Sequence, residues 1–511
     1  MRDSWLQKQN QRNCFPSEKS SNRNEKSSLY KKLTTKSEST PPMKRITFFG
    51  RLLLLGTLIS CQNAKEEARQ PIENETEKTA LAPITKLDIA SAVLYEANIR
   101  QYSNEGTFSA FAEDLPKLKK MGVKILWLMP INPISTTKSK GPLGSYYAVS
   151  DYTKVNPEFG TLADFKNLVD RAHSLGIYVI LDWVPGHTGW DHIWIKEHSD
   201  YYLKNRRGEI IDPIDFRTGR SFGWTDVADL NYNNKEMQQA MREAMLYWVK
   251  ETDIDGFRID QAYAVPQEFY DTTFEAMRAI KPVFLLAETD IDHPGGLELI
   301  QKFDASYDWP GHNLSKEVAQ GIRSAVSFSN HIETTLRRYG MENSVVHFVS
   351  NHDENSWKGT VAESYGEAGH LFMALNFTLP GIPLIYSGQE YDLNKRLLFF
   401  EKDSFAKVPG ETLKLLQQLG ALKNHHPALL SGKQGGSYQR IPTSKEQQVF
   451  AFERVNQGDS LVVIANLSSN YSQFTMPYEA RLQRYEDFKP KRLSSTYQYD
   501  MKPWEFWILT N

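Results

Sequence analysis

The sequence predicts an α/β protein: a (β/α)8 TIM barrel with a small inserted domain after strand 3 and a C-terminal β-sandwich domain. Three observations carry this. Apolar runs of strand length alternate with helical patterns from Ala92 to about residue 425. Runs such as "VKILWLMP" (123–130) are continuously apolar, as in strands of a parallel sheet buried on both faces. Polar residues gather at the carboxyl ends of several runs: Asp182, Arg258 with Asp260, Glu288, and His352 with Asp353. A doubly wound sheet shares the first two features. A closed barrel explains the third, because its strand ends converge on one mouth. No Gly-rich phosphate loop follows the first run, which argues against a nucleotide-binding doubly wound sheet.

The elements follow in order. "AVLYEANI" (92–99) is the first strand. Phe108, Phe111, Leu115 and Leu118, spaced 3, 4 and 3, form the stripe of an amphipathic helix. "VKILWLMP" (123–130) is a strand stopped by Pro, and "TLADFKNLVDRAHSLG" (161–176) a helix with Gly176 at its C-cap. "IYVILDWV" (177–184) is the third strand. A helix over 234–252 buries Met237, Met241, Ala244 and Trp248. "DIDGFRID" (253–260), "KPVFLLAET" (281–289), "FDASYDW" (303–309), "SVVHFVSNHD" (344–353) and "IPLIYSGQE" (382–390) complete eight strands. The barrel is expected over 88–189 and 234–425. Residues 190–233, rich in Trp, Tyr and Asp, interrupt the third βα unit as the inserted domain. Beyond residue 426, "QVFAFERV" and "DSLVVIANL" are short β-rich runs that suit a sandwich over 426–511.

The 511 residues are 40% hydrophobic and 12% aromatic, enough for a large core. A net charge of −2 gives no reason to expect nucleic acid as a partner. The aromatic load, 11 Trp, 24 Tyr and 26 Phe, suits a carbohydrate binder, because sugar rings present apolar C–H faces; aromatics are also ordinary core material.

The amino-terminal region reads as separate from the fold. Residues 1–42 are polar and Lys/Ser-rich, the composition of a disordered extension. Met43 opens a stretch with the charges Lys44 and Arg45, a short apolar run Leu52–Ile59, and the ending Leu58-Ile59-Ser60-Cys61. That order fits a signal peptide over 43–61, and its end resembles a bacterial lipoprotein processing site. The expectation is export, cleavage before Cys61, lipidation of Cys61, and anchoring to a membrane at its periplasmic or cell-surface face. Met43 would be the start and 1–42 an upstream extension. Cys14 is the second of only two cysteines, so the mature chain would hold no disulfide. Residues 62–87 read as a charged tether.

Arg258 and Asp260 are two apart, so on a strand they share a face. A carboxylate beside a guanidinium is held ionised, which a carboxylate nucleophile requires. A structural ion pair at a strand end is the plainer reading of an isolated Arg-x-Asp. For each acidic residue at a strand end, a helix N-cap is the corresponding alternative. The set as a whole favours a site.

"LDWVPGHTG", "DGFRIDQA", "LLAETD" and "FVSNHDENSW", in this order, resemble the four main signatures of the α-amylase family, glycoside hydrolase family 13. "GSYYAVSDYTKVNPEFGT", "VADLNY" and "GIPLIYSGQE" agree with flanking motifs, and the resemblance covers roughly residues 90–425. It implies an α-retaining enzyme acting on α-glucans. Asp260 then falls on the nucleophile, Glu288 on the general acid/base and Asp353 on the third carboxylate. Tyr147, His187, Arg258 and His352 fall on residues that hold the sugar at the cleavage point. Retaining hydrolysis needs two carboxyl groups roughly 5–5.5 Å apart, one attacking and one protonated. Glu288 follows the apolar run "VFLLA", surroundings that favour a protonated acid.

Two departures stand out. Gly186 occupies the position where the family usually carries an Asn that ligates calcium, leaving Asp229 of "VADLNY" as the one matching metal candidate. The expectation is therefore no cofactor, with calcium doubtful. Tyr263 and Ala264 stand where many α-amylases carry Lys and His, so binding beyond the cleavage point differs. Three functions remain: a hydrolase of α-1,4-glucans, a glucanotransferase or maltogenic (neopullulanase-type) enzyme, and a non-catalytic glucan-binding lipoprotein. The last should have lost a carboxylate, and all three are present.

Overall fold

The computed structural model describes residues 81–476 except 216–217 and 341–342, together with 486–487 and 498–510. The extension 1–42, the signal peptide 43–61 with Cys61, and most of the tether 62–87 lie outside the described residues.

The strands in chain order are β1 (Leu94–Ala97), β2 (Ile125–Leu128) and β3 (Tyr178–Trp183), then β4 (His187–Gly189), β5 (Ile214–Asp215), β6 (Arg220–Ser221) and β7 (Val227–Asp229) of the inserted segment. The barrel resumes with β8 (Gly256–Ile259), β9 (Phe284–Ala287), β10 (Ala305–Tyr307), β11 (Ser344–His347) and β12 (Ile382–Tyr386). β1, β2, β3 and β8 to β12 close into one parallel barrel. Each coincides with one of the eight apolar runs.

The runs lack alternation in composition, yet alternation governs where they point. Leu94, Ile125, Trp127, Ile180, Phe284, Leu286, Ala305, Tyr307, Ile382 and Leu384 fill the barrel interior as one buried cluster. Their neighbours Tyr95, Leu126, Leu128, Val179, Leu181, Phe257, Ile259, Leu285 and Ile385 face the helices in another. Glu96, Asp182, Arg258 and Glu288 share the parity of the inward set, and Glu96, Asp182 and Glu288 each lie two residues beyond an inward apolar one, Leu94, Ile180 and Leu286. This is how eight greasy strands deliver charge to one mouth. Gly256 is required where it stands: its φ is +144°, and a Cβ would lie 1.8 Å from the Phe284 carbonyl oxygen.

Two local differences from the sequence reading have clear causes. The stripe Phe108–Leu118 is fully buried, but it belongs to two short helices, Phe108–Ala112 and Leu115–Lys120. Pro116, in the first turn of the second, cannot continue the first. The described residues also begin inside the segment read as tether. Thr85 caps the helix Lys86–Ala90 through a capping box, and Ile84 and Ile89 join the barrel-interior cluster. Gly176 does cap the helix Leu162–Ser174: its amide donates to the His173 carbonyl and that of Ile177 to the Ala172 carbonyl.

The segment between β3 and the helix Lys235–Thr252 is tied off at its neck, where β4 pairs antiparallel with β7; β5 and β6 form a hairpin farther out. After the last barrel helix, Glu411–His425, come β13 (Ser437–Ile441), β14 (Val449–Asn456), β15 (Asp459–Asn466), β16 (Ser472–Phe474), β17 (Glu486–Asp487), β18 (Tyr499–Met501) and β19 (Phe506–Thr510). Five form an antiparallel sheet, and β16 pairs with β18. One face of the sheet, with Val449, Ala451, Val462 and Ile464, packs on Phe474, Tyr499 and Met501 of the small sheet. The other face, with Phe450, Phe452 and Val463, joins the barrel's outer core.

Candidate active site

Arg258 organises the mouth. It is 1% exposed and reaches three carboxylates. Nη1 donates to Asp182 Oδ1 at 2.8 Å and to Asp260 Oδ1 at 3.0 Å; Nη2 forms an ion pair with Glu288 Oε1 at 2.9 Å. Asp182 is the register partner of Arg258 on the neighbouring strand, and Glu288 follows the strand on the other side. The Glu288 carboxylate also accepts the Gln261 amide at 2.7 Å. Gln261 has φ +41°, a left-handed conformation strained for a side-chain-bearing residue. It turns the chain directly after Asp260 so that its amide meets the Glu288 side chain.

The sequence reading expected Arg258 to lower the Asp260 pKa. The structure reverses the direction. Burial and the neighbouring Glu288 carboxylate push the Asp260 carboxyl well above the usual range, with Arg258 pulling the other way. One guanidinium divided among three carboxylates does not offset the loss of water around them. Asp182 is raised by burial for the same reason, with Arg258 again opposing. Arg258 itself stays charged: burial works against it, and Asp182 and Glu288 outweigh that.

A second chain of contacts leads across the pore. The Asp182 carboxylate accepts Trp127 Nε1–H at 3.2 Å and Tyr147 O–H at 3.0 Å. The Tyr147 hydroxyl lies 2.9 Å from His352 Nε2, and the two rings stack at 5.5 Å. His352 Nδ1 is 2.5 Å from Glu96 Oε1, and Asp353 Oδ2 is 3.6 Å from Nε2. Burial opposes charging His352, but Asp353 and Glu96 outweigh it and raise its pKa to about 9. It is therefore an imidazolium at neutral pH. Asp353 keeps 43% of its side chain exposed to the cleft and precedes a π-helical turn, Glu354–Lys358.

Glu96 escaped the sequence reading, and it is the inner anchor of His352. The available signal was a lone acid inside the apolar run "AVLYEANI". Its effect has a definite sign. A His raised from about 6.5 to about 9 by folding adds stability that is complete below pH 6.5 and lost as pH rises through 9. Glu96→Gln removes one source of that rise. The alkaline limb of kcat/KM is expected to move at least about one pH unit toward neutrality; superimposable pH profiles for variant and parent would refute the link.

His187 sits at the neck on β4. Burial lowers its pKa to about 4, with Asp226 and a backbone hydrogen bond with Tyr147 opposing, so it is a neutral imidazole beside the Tyr147 segment. Asp229 is its register partner on β7. Burial raises the Asp229 carboxyl to about 7, and its Oδ2 has no hydrogen-bond partner. The Gly186 carbonyl is engaged by the Leu230 amide at 3.1 Å. A hard cation such as calcium takes six to eight oxygens. Among the described residues no cluster of three His, Cys, Asp or Glu is placed to hold a metal. This donor set does not fit the family's calcium ion.

Other contacts hold the inserted segment. Lys140 bridges Asp226 at 2.8 Å and the Gly223 carbonyl at 3.3 Å. The Thr136 and Thr137 amides donate to Asp191, and Lys138 sits 3.2 Å above the Trp190 ring. Trp194 packs on Tyr152 and His192, and Trp224 on Phe222.

The mouth thus joins three carboxylates on one guanidinium, Asp353 as an exposed fourth, and a Tyr–His wall beside them. That is the constitution of a retaining glycosidase site on a (β/α)8 barrel. The comparisons agree. The family model for the α-amylase catalytic domain matches residues 96–310. The α-amylase MalA of Haloarcula japonica is 26% identical over 76% of this chain and 57% of its own length. The cyclomaltodextrin glucanotransferase of Niallia circulans is 26% identical over 69% of this chain and 52% of its own. A solved maltogenic α-amylase from Thermotoga neapolitana superimposes with a TM-score of 0.72 at 26% identity, covering 83% of this chain and 99% of that one. Over its barrel region the chain is thus similar to enzymes of the α-amylase family. It spans 57% and 52% of the length of the two curated relatives.

Proposed function

We propose that the protein cleaves α-1,4-glucosidic bonds of starch-like α-glucans or malto-oligosaccharides with retention, Asp260 attacking and Glu288 acting as acid and base. The observation that carries this is the shared guanidinium: Arg258 presents Asp260 and Glu288 on adjacent strands to one reacting centre. Without substrate, Asp260 is crowded by Glu288 and prone to hold a proton. Catalysis needs that proton on Glu288. A sugar entering between the two carboxyls would separate them, leave Asp260 facing Arg258, and receive the proton from Glu288 at the glycosidic oxygen. Asp260 then bonds to the anomeric carbon as the leaving sugar departs. Water, deprotonated by Glu288, breaks that ester in the second step. Tyr147 supplies a stacking face, while His187, cationic His352 and Asp353 supply hydrogen bonds as the ring distorts.

The second reading, a glucanotransferase or maltogenic enzyme, shares every step except the final acceptor. Relatives of both names support keeping it. The non-catalytic reading has no observation in its favour. Incubation with amylose, pullulan and cyclodextrin, with product sizes followed over time, tests the assignment. Progressive small maltosaccharides support hydrolysis, early larger or cyclic products support transfer, and no products would overturn both.

We also propose that activity needs no calcium. Support comes from Gly186, the lone Asp229, and the Lys140–Asp226 tie across the neck. Melting temperatures in excess chelator and in millimolar calcium should agree within a few degrees, since a ligand stabilises only above its dissociation constant. A shift of many degrees would contradict this.

For location, the proposal is a lipid anchor at Cys61 on an exported chain, with no partner beyond glucan and membrane and no nucleic acid. It rests on the order of charged, apolar and Cys-terminated segments in 43–61. Cys61→Ser should block processing or release the protein from membranes. Parent protein recovered free of membranes would refute it.

A further inference from the structure

The end of the barrel opposite the mouth carries features that the steps above do not use. The described residues begin there, and 82–91 cross the ends at which the strands start. The hydroxyl of Tyr178, the first residue of β3, donates to the Ala82 carbonyl at 3.2 Å. Lys124, just before β2, donates to Ser91 Oγ at 2.6 Å. Lys86 pairs with Asp304, just before β10. Ile84 and Ile89 close the barrel interior from this side, with Leu81 packed on the same cluster. The helix Lys86–Ala90 is therefore a floor, and the carboxylates stand at the other ends of the same strands.

Two apolar side chains stay in water on this floor. Leu87 is 56% exposed beside Lys86, and Ile280 is 40% exposed in the turn before β9. Lys86 and Arg278 both reach Asp304, so Leu87 and Ile280 flank one ionic cluster. Apolar side chains beside Lys and Arg suit the headgroup zone of a bilayer, where stems are buried and charges meet phosphate. The length of chain before Leu81 says what covers the floor. Twenty residues lead from Cys61 to Leu81, and fully stretched they span at most about 70 Å. A folded unit of about 430 residues has a radius of gyration of about 22 Å, hence a half-circumference of about 90 Å. A chain leaving the floor is too short to run round to the mouth. An anchor at Cys61 therefore holds the floor, and not the mouth, toward the bilayer.

We propose that the floor around Leu87 and Ile280 is a docking surface for a phospholipid bilayer, and that the mouth opens away from it. This rests on the lipid anchor at Cys61 proposed above, and adds a membrane contact made by the folded enzyme itself. An anchor sets only the distance from the bilayer; contact by the floor also sets the direction of the mouth. Long glucan chains then approach Asp260 and Glu288 from solution without meeting the bilayer.

The test uses the full processed chain in vesicles of phosphatidylethanolamine and phosphatidylglycerol, with a small fraction of lipids bearing a headgroup nitroxide. Bimane is attached to one introduced cysteine at a time: Leu87→Cys, Ile280→Cys, or Phe222→Cys, an exposed position on the inserted segment at the mouth side. The nitroxide should quench bimane at 87 and 280 several-fold more than at 222. Adding Leu87→Glu to the Ile280→Cys chain should bring quenching at 280 down to the level at 222, with vesicle recovery and turnover of maltosaccharide unchanged. Quenching at 222 equal to that at 87 overturns the orientation. No quenching at any position, with the protein still on vesicles, overturns the docking surface and leaves the anchor standing. Bimane at 87 that becomes shielded in detergent as protein concentration rises shows a second copy covering the floor, which also overturns it. Protein recovered free of vesicles overturns the anchor reading, and the orientation with it.

Discussion

Asp260→Asn and Glu288→Gln are each expected to lower kcat on a maltosaccharide by about 10³-fold or more, because each removes a group that makes or breaks a bond in the rate-determining steps. The two should then diverge. Glu288→Gln loses the proton donor, so substrates with leaving groups that need no proton should recover much of the first step. Asp260→Asn loses the nucleophile, and no leaving group restores it. Both side chains keep a hydrogen-bonding oxygen toward Arg258, so the fold should persist. Near-normal turnover in either variant, or equal rescue of both by an activated donor, would remove these assignments.

The second large effect is on stability. Arg258 is the sole cation bonded to Asp182, Asp260 and Glu288 among the described contacts. Arg258→Met would leave three buried or half-buried carboxylates with no counter-charge there. Removing one partner of a buried ion pair costs about 3–5 kcal/mol, which for a protein of this size lowers the apparent Tm by roughly 10 °C. The pH dependence has a definite sign. Carboxyls pushed upward in the folded state bind protons that the unfolded chain has lost, so the stability of the variant falls as pH rises above about 4. The gap between variant and parent should therefore narrow at pH 5 and widen at pH 8. A variant whose melting curve follows that of the parent at both pH values would mean that the triad needs no central cation.

The barrel was legible because strand-length apolar runs recurred between helical patterns, with "FDASYDW" (303–309) the weakest of the eight, and because parity alone put Arg258 and Asp260 on one face. Asp182 and Glu288 fell into place by the same parity. Glu96 did not, since a single acid in a strand carries no mark of its partner until β1 and the segment after β11 are seen at one mouth, with β12 between the two strands. The direction of the Asp260 pKa was misjudged for a related reason. The sequence shows the Arg two residues away; it does not show that Asp182 and Glu288 compete for the same guanidinium in a dry mouth. Phe108–Leu118 shows a smaller version, in which the right faces are buried although Pro116 divides the helix.

The distinctive chemical claim is a covalent bond to Asp260, and the most direct measurement is where that bond forms. Glu288→Gln supplied with α-maltosyl fluoride should accumulate the glycosyl-enzyme, because fluoride leaves without an acid while hydrolysis of the ester lacks its base. Proteolysis and mass spectrometry should then find one maltosyl group on the peptide containing Asp260. A maltosyl group on a peptide bearing Asp353 or Asp182 instead, or no adduct while fluoride is released and β-maltose forms, would contradict the account.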